Sequence, residues 1–300
     1  NNRSCAAPIK RVGICGAGAM GAIYAHHFSK APQFETLLVA SGDRASTLRD
    51  TPWIINGHAH SLSTSGGVAV LDPQQAEAAP PLDLLVVAVK HQHLEQAIEE
   101  VAPLVDRTHT TILSVMNGLD SEERLMARFG EEAVLYCIAL AMDSVRNGRE
   151  VRYENAGRLS FGRADNSVED ERVVRVRDAL NAAGVANETP VQMLKEMWWK
   201  FMVNVGVNQA TAVLQLTYGE LRARPQALRL MAALQAEVIA VSQPAGVRLG
   251  EPDLARWRRV FAELGDEQKT SMLQDVEAGR PTEAELFAGK VVRLGEQYGV

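Results

Sequence analysis

The 300-residue chain reads as an α/β portion built on a mostly parallel sheet, followed by an all-α C-terminal portion. Three observations predict this. Through the first two thirds, short β-rich apolar runs alternate with helical patterns, as expected of parallel strands with helices on both faces. A glycine-rich turn joins the first such run to the first helical segment. After Asn187-Glu188-Thr189-Pro190 the strand pattern all but ceases, and long apolar-periodic segments follow, broken at Pro225, Pro244-Ala245-Gly246, Pro252 and Pro281. At roughly 150 residues per domain the length suits two domains, here 1–190 and 191–300.

In chain order, residues 11–16 predict a strand and 20–31 a helix. Residues 36–40 and 84–89 predict further strands, and 94–101 a helix. Two more strands are expected at 110–115 and 133–141, with 121–129 helical between them. Residues 72–81, rich in Pro, Ala and Gln, predict a loop, 151–161 a hairpin, and 169–183 a helix covering one side. A two-domain protein of this kind is expected to place its site between its domains.

Composition excludes several classes. Hydrophobic residues make up 46% and charged residues 23%, a globular balance rather than a disordered one. The net charge of −6 argues against a nucleic-acid binder or a polybasic membrane protein, so a small-molecule partner is expected. Cys5, Cys15 and Cys137 form no C-x-x-C pair and no disulfide framework, and Cys15 reads as a buried, inert thiol. A reducing cytoplasm fits, since residues 1–10 lack the pattern of a secretory leader and no apolar run is long enough to span a bilayer. His58-x-His60 and His91-x-His93 lack neighbouring ligands at metal spacing, so no metal is expected. His26-His27 read as packing and surface, Trp198-Trp199 as core, and the basic run 222–229 as a solvated helix end.

Gly16-Ala17-Gly18-Ala19-Met20-Gly21 is G-x-G-x-x-G between a strand and a helix, the context that its mechanism requires. Gly16 makes the tight turn, Gly18 lets backbone approach a pyrophosphate, Gly21 lets helix pack on strand, and the helix N-terminus favours the negative charge. The prediction is a Rossmann-type dinucleotide-binding domain. An NAD site would place a carboxylate at the end of the second strand; here the strand runs into Ser41-Gly42-Asp43-Arg44. Ser41 and Arg44 suit a 2′-phosphate and favour NADP, although a small change of register would bring Asp43 to the ribose.

In the helical portion, the segment from Trp198 to Thr211 is apolar nearly all round, yet Lys200, Asn204 and Asn208 recur at i, i+4 and i+8, and Thr211 continues the stripe. Burying two amides without partners would cost on the order of 2–7 kcal/mol each, so the stripe must face a cleft, a ligand or another domain. Either it is a hydrogen-bonded domain edge, or Lys200 donates a proton beside a nicotinamide while the asparagines orient substrate. Ser271 and Glu283 could complete such a site. On spacing alone Glu283 reads as an acidic residue at a helix start, with Pro281 in the first turn.

Assembled, these segments resemble the ketopantoate reductase (2-dehydropantoate 2-reductase) family. The resemblance runs through the glycine loop, Val89-Lys90, Asn117-Gly118, Trp199-Lys200 with Asn204 and Asn208, Ser271-Met272-Leu273-Gln274-Asp275, and Thr282-Glu283. It implies NADPH-dependent reduction of a 2-keto acid. It also implies that Lys200 is the catalytic lysine and Glu283 the glutamate that hydrogen-bonds substrate. Asn204, Asn208 and Ser271 would hold substrate, and Asn117 and Lys90 would line the cofactor–substrate cleft. Some positions depart from the family pattern. His93 stands where Gln is frequent, Met116 where Gln or His is commoner, Lys269-Thr270 in place of Asn-Ser, and Gln209-Ala210 in place of Pro-Leu. These lie near the substrate end and leave room for a different 2-keto acid. The alternatives are an NAD(P)-dependent 2-hydroxy acid dehydrogenase and, in another class, a non-catalytic dinucleotide sensor. Apolar helices of the second portion could support a homodimer, and the sequence does not separate that from burial within one chain.

Overall fold

The structure is a computed structural model that describes residues 7–50, 53–60, 67–75 and 79–300. Cys5 and residues 76–78 of the expected loop lie outside the described residues. The chain divides into two compact units. One comprises the residues up to Met116 together with Asp120–Met193; the other comprises Asn117–Leu119 with Leu194–Val300.

The first unit is a Rossmann-type α/β fold. Its elements are β1 (Arg11–Cys15), α1 (Ala19–Ser29), β2 (Glu35–Val39), α2 (Gly42–Arg49), β3 (Trp53–Ile55), β4 (His58–His60), β5 (Val68–Leu71), β6 (Leu84–Val87) and α3 (Leu94–Val101). They continue with β7 (Thr111–Ser114), α4 (Asp120–Phe129), β8 (Val134–Met142), β9 (Val145–Asn147), β10 (Glu150–Arg152), β11 (Ala156–Gly162), α5 (Glu171–Ala182) and β12 (Asn187–Glu188). The main sheet has eight strands in the order β12-β11-β8-β7-β6-β1-β2-β5. Strands β5 to β8 along that order pair in parallel, whereas β11 runs antiparallel to β8. A parallel strand covered on both faces reads as an unbroken apolar run, and Leu84-Leu85-Val86-Val87 of β6 is buried at every position. The chain passes from β1 outward to β2 and β5, then returns to β6 on the other side of β1. This reversal makes the carboxyl ends of β1 and β6 the switch point where such sheets bind ligands.

Helix α3 spans 94–101 as expected, because Leu94, Ala97, Ile98 and Val101 recur at i, i+3, i+4 and i+7 and all face the core. Other expectations need correction. Residues 151–161 do not form a hairpin; β10 pairs with β9 and with β3, while β11 pairs with β8 and β12. The turn at 153–155 thus carries the chain from a four-stranded sheet, β4-β3-β10-β9, into the main one. After β2 the chain turns at Ser41, the N-cap of α2, into Gly42-Asp43-Arg44 in its first turn, where the Gly42 N–H donates to Asp72 at 3.2 Å.

The second unit holds α6 (Met193–Leu214) from its second residue onward, α7 (Tyr218–Arg222), α8 (Pro225–Ser242), α9 (Glu251–Glu263), α10 (Ser271–Glu277) and α11 (Lys290–Tyr298), with a π-helical turn at Glu285–Gly289. Trp198 and Trp199 are buried in α6. The Trp199 indole donates to the Asp253 carbonyl at 3.1 Å, and the Arg256 guanidinium stacks 3.9 Å above its ring. Arg222 is not a solvated helix end: it donates to the Phe261 and Leu264 carbonyls, stacks on Phe261 and pairs with Asp266. Pro281 precedes the last helical stretch, which starts after Glu283. No helix among the described residues is long and apolar enough to cross a membrane.

Candidate active site

The glycine loop lies at the switch point of the first unit. Gly16 has φ +116°, and a Cβ there would lie 2.4 Å from the Ala88 carbonyl oxygen, so only glycine permits this turn. A Cβ on Gly21 would lie 1.8 Å from the Gly16 carbonyl oxygen, which explains the third glycine. At Gly18, by contrast, no protein atom comes nearer than Ala88 O at 4.0 Å. The loop is therefore closed by protein at both ends and open in the middle. That open middle leads into the N-terminus of α1, where first-turn N–H groups lack intrahelical partners.

Beside the loop, Ser41 is the N-cap residue of α2, but its side chain makes no capping bond, and its buried Oγ has no hydrogen-bond partner among the described residues. Arg44, exposed in the first turn of α2, lines a crevice with Cys15, Gly16, His93 and Glu100. The neighbouring recess, about 330 Å³, is bounded by Ser41, Gln74, Gln96 and Glu100. Burial, chiefly, and the charge of Glu100 push the Cys15 thiol up to about 12 against the opposing effect of Arg44, so it is a packing group. Lys90 is exposed at the carboxyl end of β6, as N-cap of a short turn through His91–His93. Glu100 and the glutamines of the recess were not singled out in the sequence, since nothing in an amphipathic helix marks which polar residue faces a cavity.

In the second unit the structure brings together Lys200, Asn117 and Glu283. Asn117 Oδ1 accepts a hydrogen bond from Lys200 Nζ at 3.1 Å, and Asn117 Nδ2 donates to Glu283 Oε2 at 3.3 Å. One amide thus bridges an ammonium and a carboxylate, and both partners agree on its orientation. Gly118 makes the approach possible: its φ is +89°, and a Cβ would lie 2.5 Å from Leu286 Cδ1. Glu283 sits just ahead of the π-helical turn, and its carbonyl accepts the Leu286 and Phe287 N–H groups. Single π turns of this type occur often at functional sites.

The rest of the stripe on α6 divides. Asn204 is half-buried and Asn208 buried. Thr211 is fully buried, with its Oγ1 2.7 Å from that of Thr270. Thr270 caps α10 by accepting the Leu273 N–H at 3.1 Å, which leaves Ser271 exposed in the first turn. Sequence reasoning also missed the support of the Asn117 turn: Ser114 Oγ donates to Ser121 Oγ, Ser121 donates to the buried Glu122, and the Met116 N–H donates to Ser114.

Comparison with known proteins bears on this geometry. The family description "Ketopantoate reductase PanE/ApbA" matches residues 12–166, and its C-terminal counterpart matches 192–300. The chain belongs to the ketopantoate reductase family. The 2-dehydropantoate 2-reductase of Archaeoglobus fulgidus is 28% identical over 293 residues, 97% of this chain and 93% of its own. The crystal structure of 2-dehydropantoate 2-reductase from Geobacter metallireducens GS-15 superposes with a TM-score of 0.81 at 26% identity, covering 97% and 94% of the two chains. A D-mandelate dehydrogenase with NADH and anilino(oxo)acetate shares the fold at a TM-score of 0.81 and 20% identity, with 97% and 93% covered. As a ketopantoate reductase family member the chain is an oxidoreductase acting on CH–OH groups, and NADPH is the cofactor of the family. The open cradle at Gly18 and the unpartnered Ser41 Oγ fit such a dinucleotide.

Proposed function

We propose that the chain reduces 2-dehydropantoate (ketopantoate) to pantoate with NADPH, a step of pantothenate biosynthesis. The observation that carries this is the chain of hydrogen bonds from Lys200 through Asn117 to Glu283. We assign dinucleotide binding to residues 1–190 and substrate binding and proton transfer to 191–300.

Bound NADPH supplies a hydride to C2 of the keto acid. Gly16, Ala17, Gly18, Ala19, Met20 and Gly21 would hold its pyrophosphate through backbone N–H groups, with Ser41 and Arg44 at the 2′-phosphate and Lys90 and Asn117 nearer the reacting end. Lys200 Nζ donates a proton to the C2 oxygen as it becomes an alkoxide, and the ammonium charge stabilises that oxygen before transfer. Asn117 fixes where the ammonium points. Glu283 accepts a hydrogen bond from a substrate hydroxyl, which a 2-keto acid bearing such a group supplies and a plain one does not. Asn204, Asn208 and Ser271 complete the orientation of the substrate. We place the reaction in the cytoplasm and assign the working assembly as a homodimer, for which Val213 and Leu214, exposed at the end of α6, offer apolar surface.

The test is NADPH consumption with ketopantoate beside a panel of 2-keto acids, repeated with NADH and in the oxidative direction. Turnover strongest with ketopantoate and NADPH is expected. Turnover confined to another keto acid would overturn the substrate while leaving the reaction. NADPH binding without turnover on any substrate would make the chain a sensor.

A further inference from the structure

The glycine loop has a second neighbour that the sequence does not suggest. Arg146 lies on β9, at the edge of the four-stranded sheet, 129 positions from the residue it reaches. Its Nη1 donates to the Ala17 carbonyl, inside the G-x-G-x-x-G turn, while its Nε donates to the Gly148 carbonyl at 2.8 Å. Both are neutral acceptors. Arg44 stands close enough that, after burial, its like charge is what lowers the pKa of Arg146. Neither arginine forms an ion pair with a carboxylate among the described residues. By contrast Arg11, Arg124, Arg128, Arg152, Arg158, Arg163 and Arg177 of the same unit each have an acidic partner.

Two guanidiniums held near each other and near a helix N-terminus repel one another, and among the described residues no carboxylate is ion-paired with either to offset it. An anion between them and the loop would convert it into attraction, and phosphate is the anion that guanidinium geometry suits best. The bond to Ala17 adds a second consequence. It sets the plane of the Ala17–Gly18 peptide, which is the segment left open at Gly18.

We propose that Arg146 is a phosphate-binding residue of the cofactor site, acting with Arg44 on the phosphates of the dinucleotide while tethering the glycine loop. The proposal rests on the dinucleotide reading of that loop. It adds a group from outside the βαβ core, on a strand that no dinucleotide motif includes.

The experiment measures NADPH and NADH dissociation constants across a range of KCl for the wild type, Arg146→Gln, Arg146→Lys and Arg44→Gln, with Tm as a check on folding. For Arg146→Gln, NADPH binding should weaken by about tenfold, the worth of a charge-assisted hydrogen bond, and its salt dependence should become shallower. Arg146→Lys should restore the salt dependence. A matching loss with NADH would put Arg146 at the pyrophosphate, and a loss with NADPH alone would put it at the 2′-phosphate; both support the proposal. An unchanged affinity for both dinucleotides in folded Arg146→Gln would overturn it. So would a loss with unaltered salt dependence, which would leave a purely structural tether. Failure of the wild type to bind either dinucleotide would instead overturn the cofactor reading itself.

Discussion

Lys200 is distinguished by what holds it. On a mostly apolar helix its Nζ donates to Asn117 Oδ1 at 3.1 Å, and Asn117 is itself held by Glu283. On the proposed mechanism, removing the ammonium deletes the proton donor and leaves the dinucleotide loop untouched. Lys200→Ala should therefore lower kcat by about 10²–10⁴-fold, the usual range for general acid catalysis, with little change in NADPH dissociation constant. Rapid kinetics and equilibrium binding on the same variant check both halves; an unchanged kcat would remove Lys200 from the mechanism. Glu283 shows why sequence alone left its role open. An acidic residue at a helix start needs no function, and its partner Asn117 lies 166 positions earlier in the chain. The resemblance to a family raised it, and the hydrogen bond places it beside Lys200's own partner.

At the scale of elements, legibility followed pattern length. Helix α3 and strand β6 were read because eight residues of helical period and four of unbroken apolar character carry enough signal. The strands β3, β4, β9 and β10 have three residues each, too few for a period to show, and the β3–β10 pairing that joins them into one sheet links residues far apart in sequence. Helix α2 is polar and begins at a glycine, so propensity argues against it; the Asp72 carboxylate accepting the Gly42 N–H supplies what propensity lacks. A similar device works at the other end of the sheet. Asp83, just before β6, accepts the N–H groups of Lys10 and Arg11 at 2.8 and 2.7 Å and a hydrogen bond from the His109 ring, tying the starts of β1, β6 and β7. Burial raises its pKa, but these bonds together outweigh burial and hold the carboxyl below its ordinary 3.8. A depressed carboxyl pKa contributes stability above the unfolded value, and that contribution is lost as pH falls through the folded value. Asp83→Asn should thus cost on the order of 1.5–3 kcal/mol at neutral pH, as for a hydrogen-bonded charged group. The gap to the wild type should close as pH falls below the ordinary carboxyl range, while NADPH affinity, set at the opposite strand ends, stays unchanged. Denaturant titrations at neutral and acidic pH test this, and a gap independent of pH would refute it.

For the molecule as a whole, the proposed function assigns different chemistry to each of the two compact units. The first unit carries the glycine loop, Ser41, Arg44 and Arg146; the second carries Lys200, Asn117 and Glu283, the last two brought together by the tight turn at Gly118. Asn117–Leu119 belongs to the second unit although it directly follows β7 and Met116, a placement that no local pattern could reveal, because it depends on a contact with Leu286. Cofactor binding should therefore be visible as stabilisation of the unit that holds the loop. A ligand at about 100 times its dissociation constant adds about 2.7 kcal/mol to the state that binds it. For a unit of this size each kcal/mol moves Tm by about 2–4 °C, so NADPH should raise the corresponding calorimetric transition by roughly 5–10 °C. NADH at the same concentration lacks the 2′-phosphate that we assign to Ser41 and Arg44, and should raise it less. Arg44→Gln should bring the two shifts together by lowering the NADPH shift. If NADH and NADPH stabilise the wild type equally, the recess beside α2 does not read the 2′-phosphate, and the exposed Asp43 or Glu100 at the crevice becomes the group that meets the ribose.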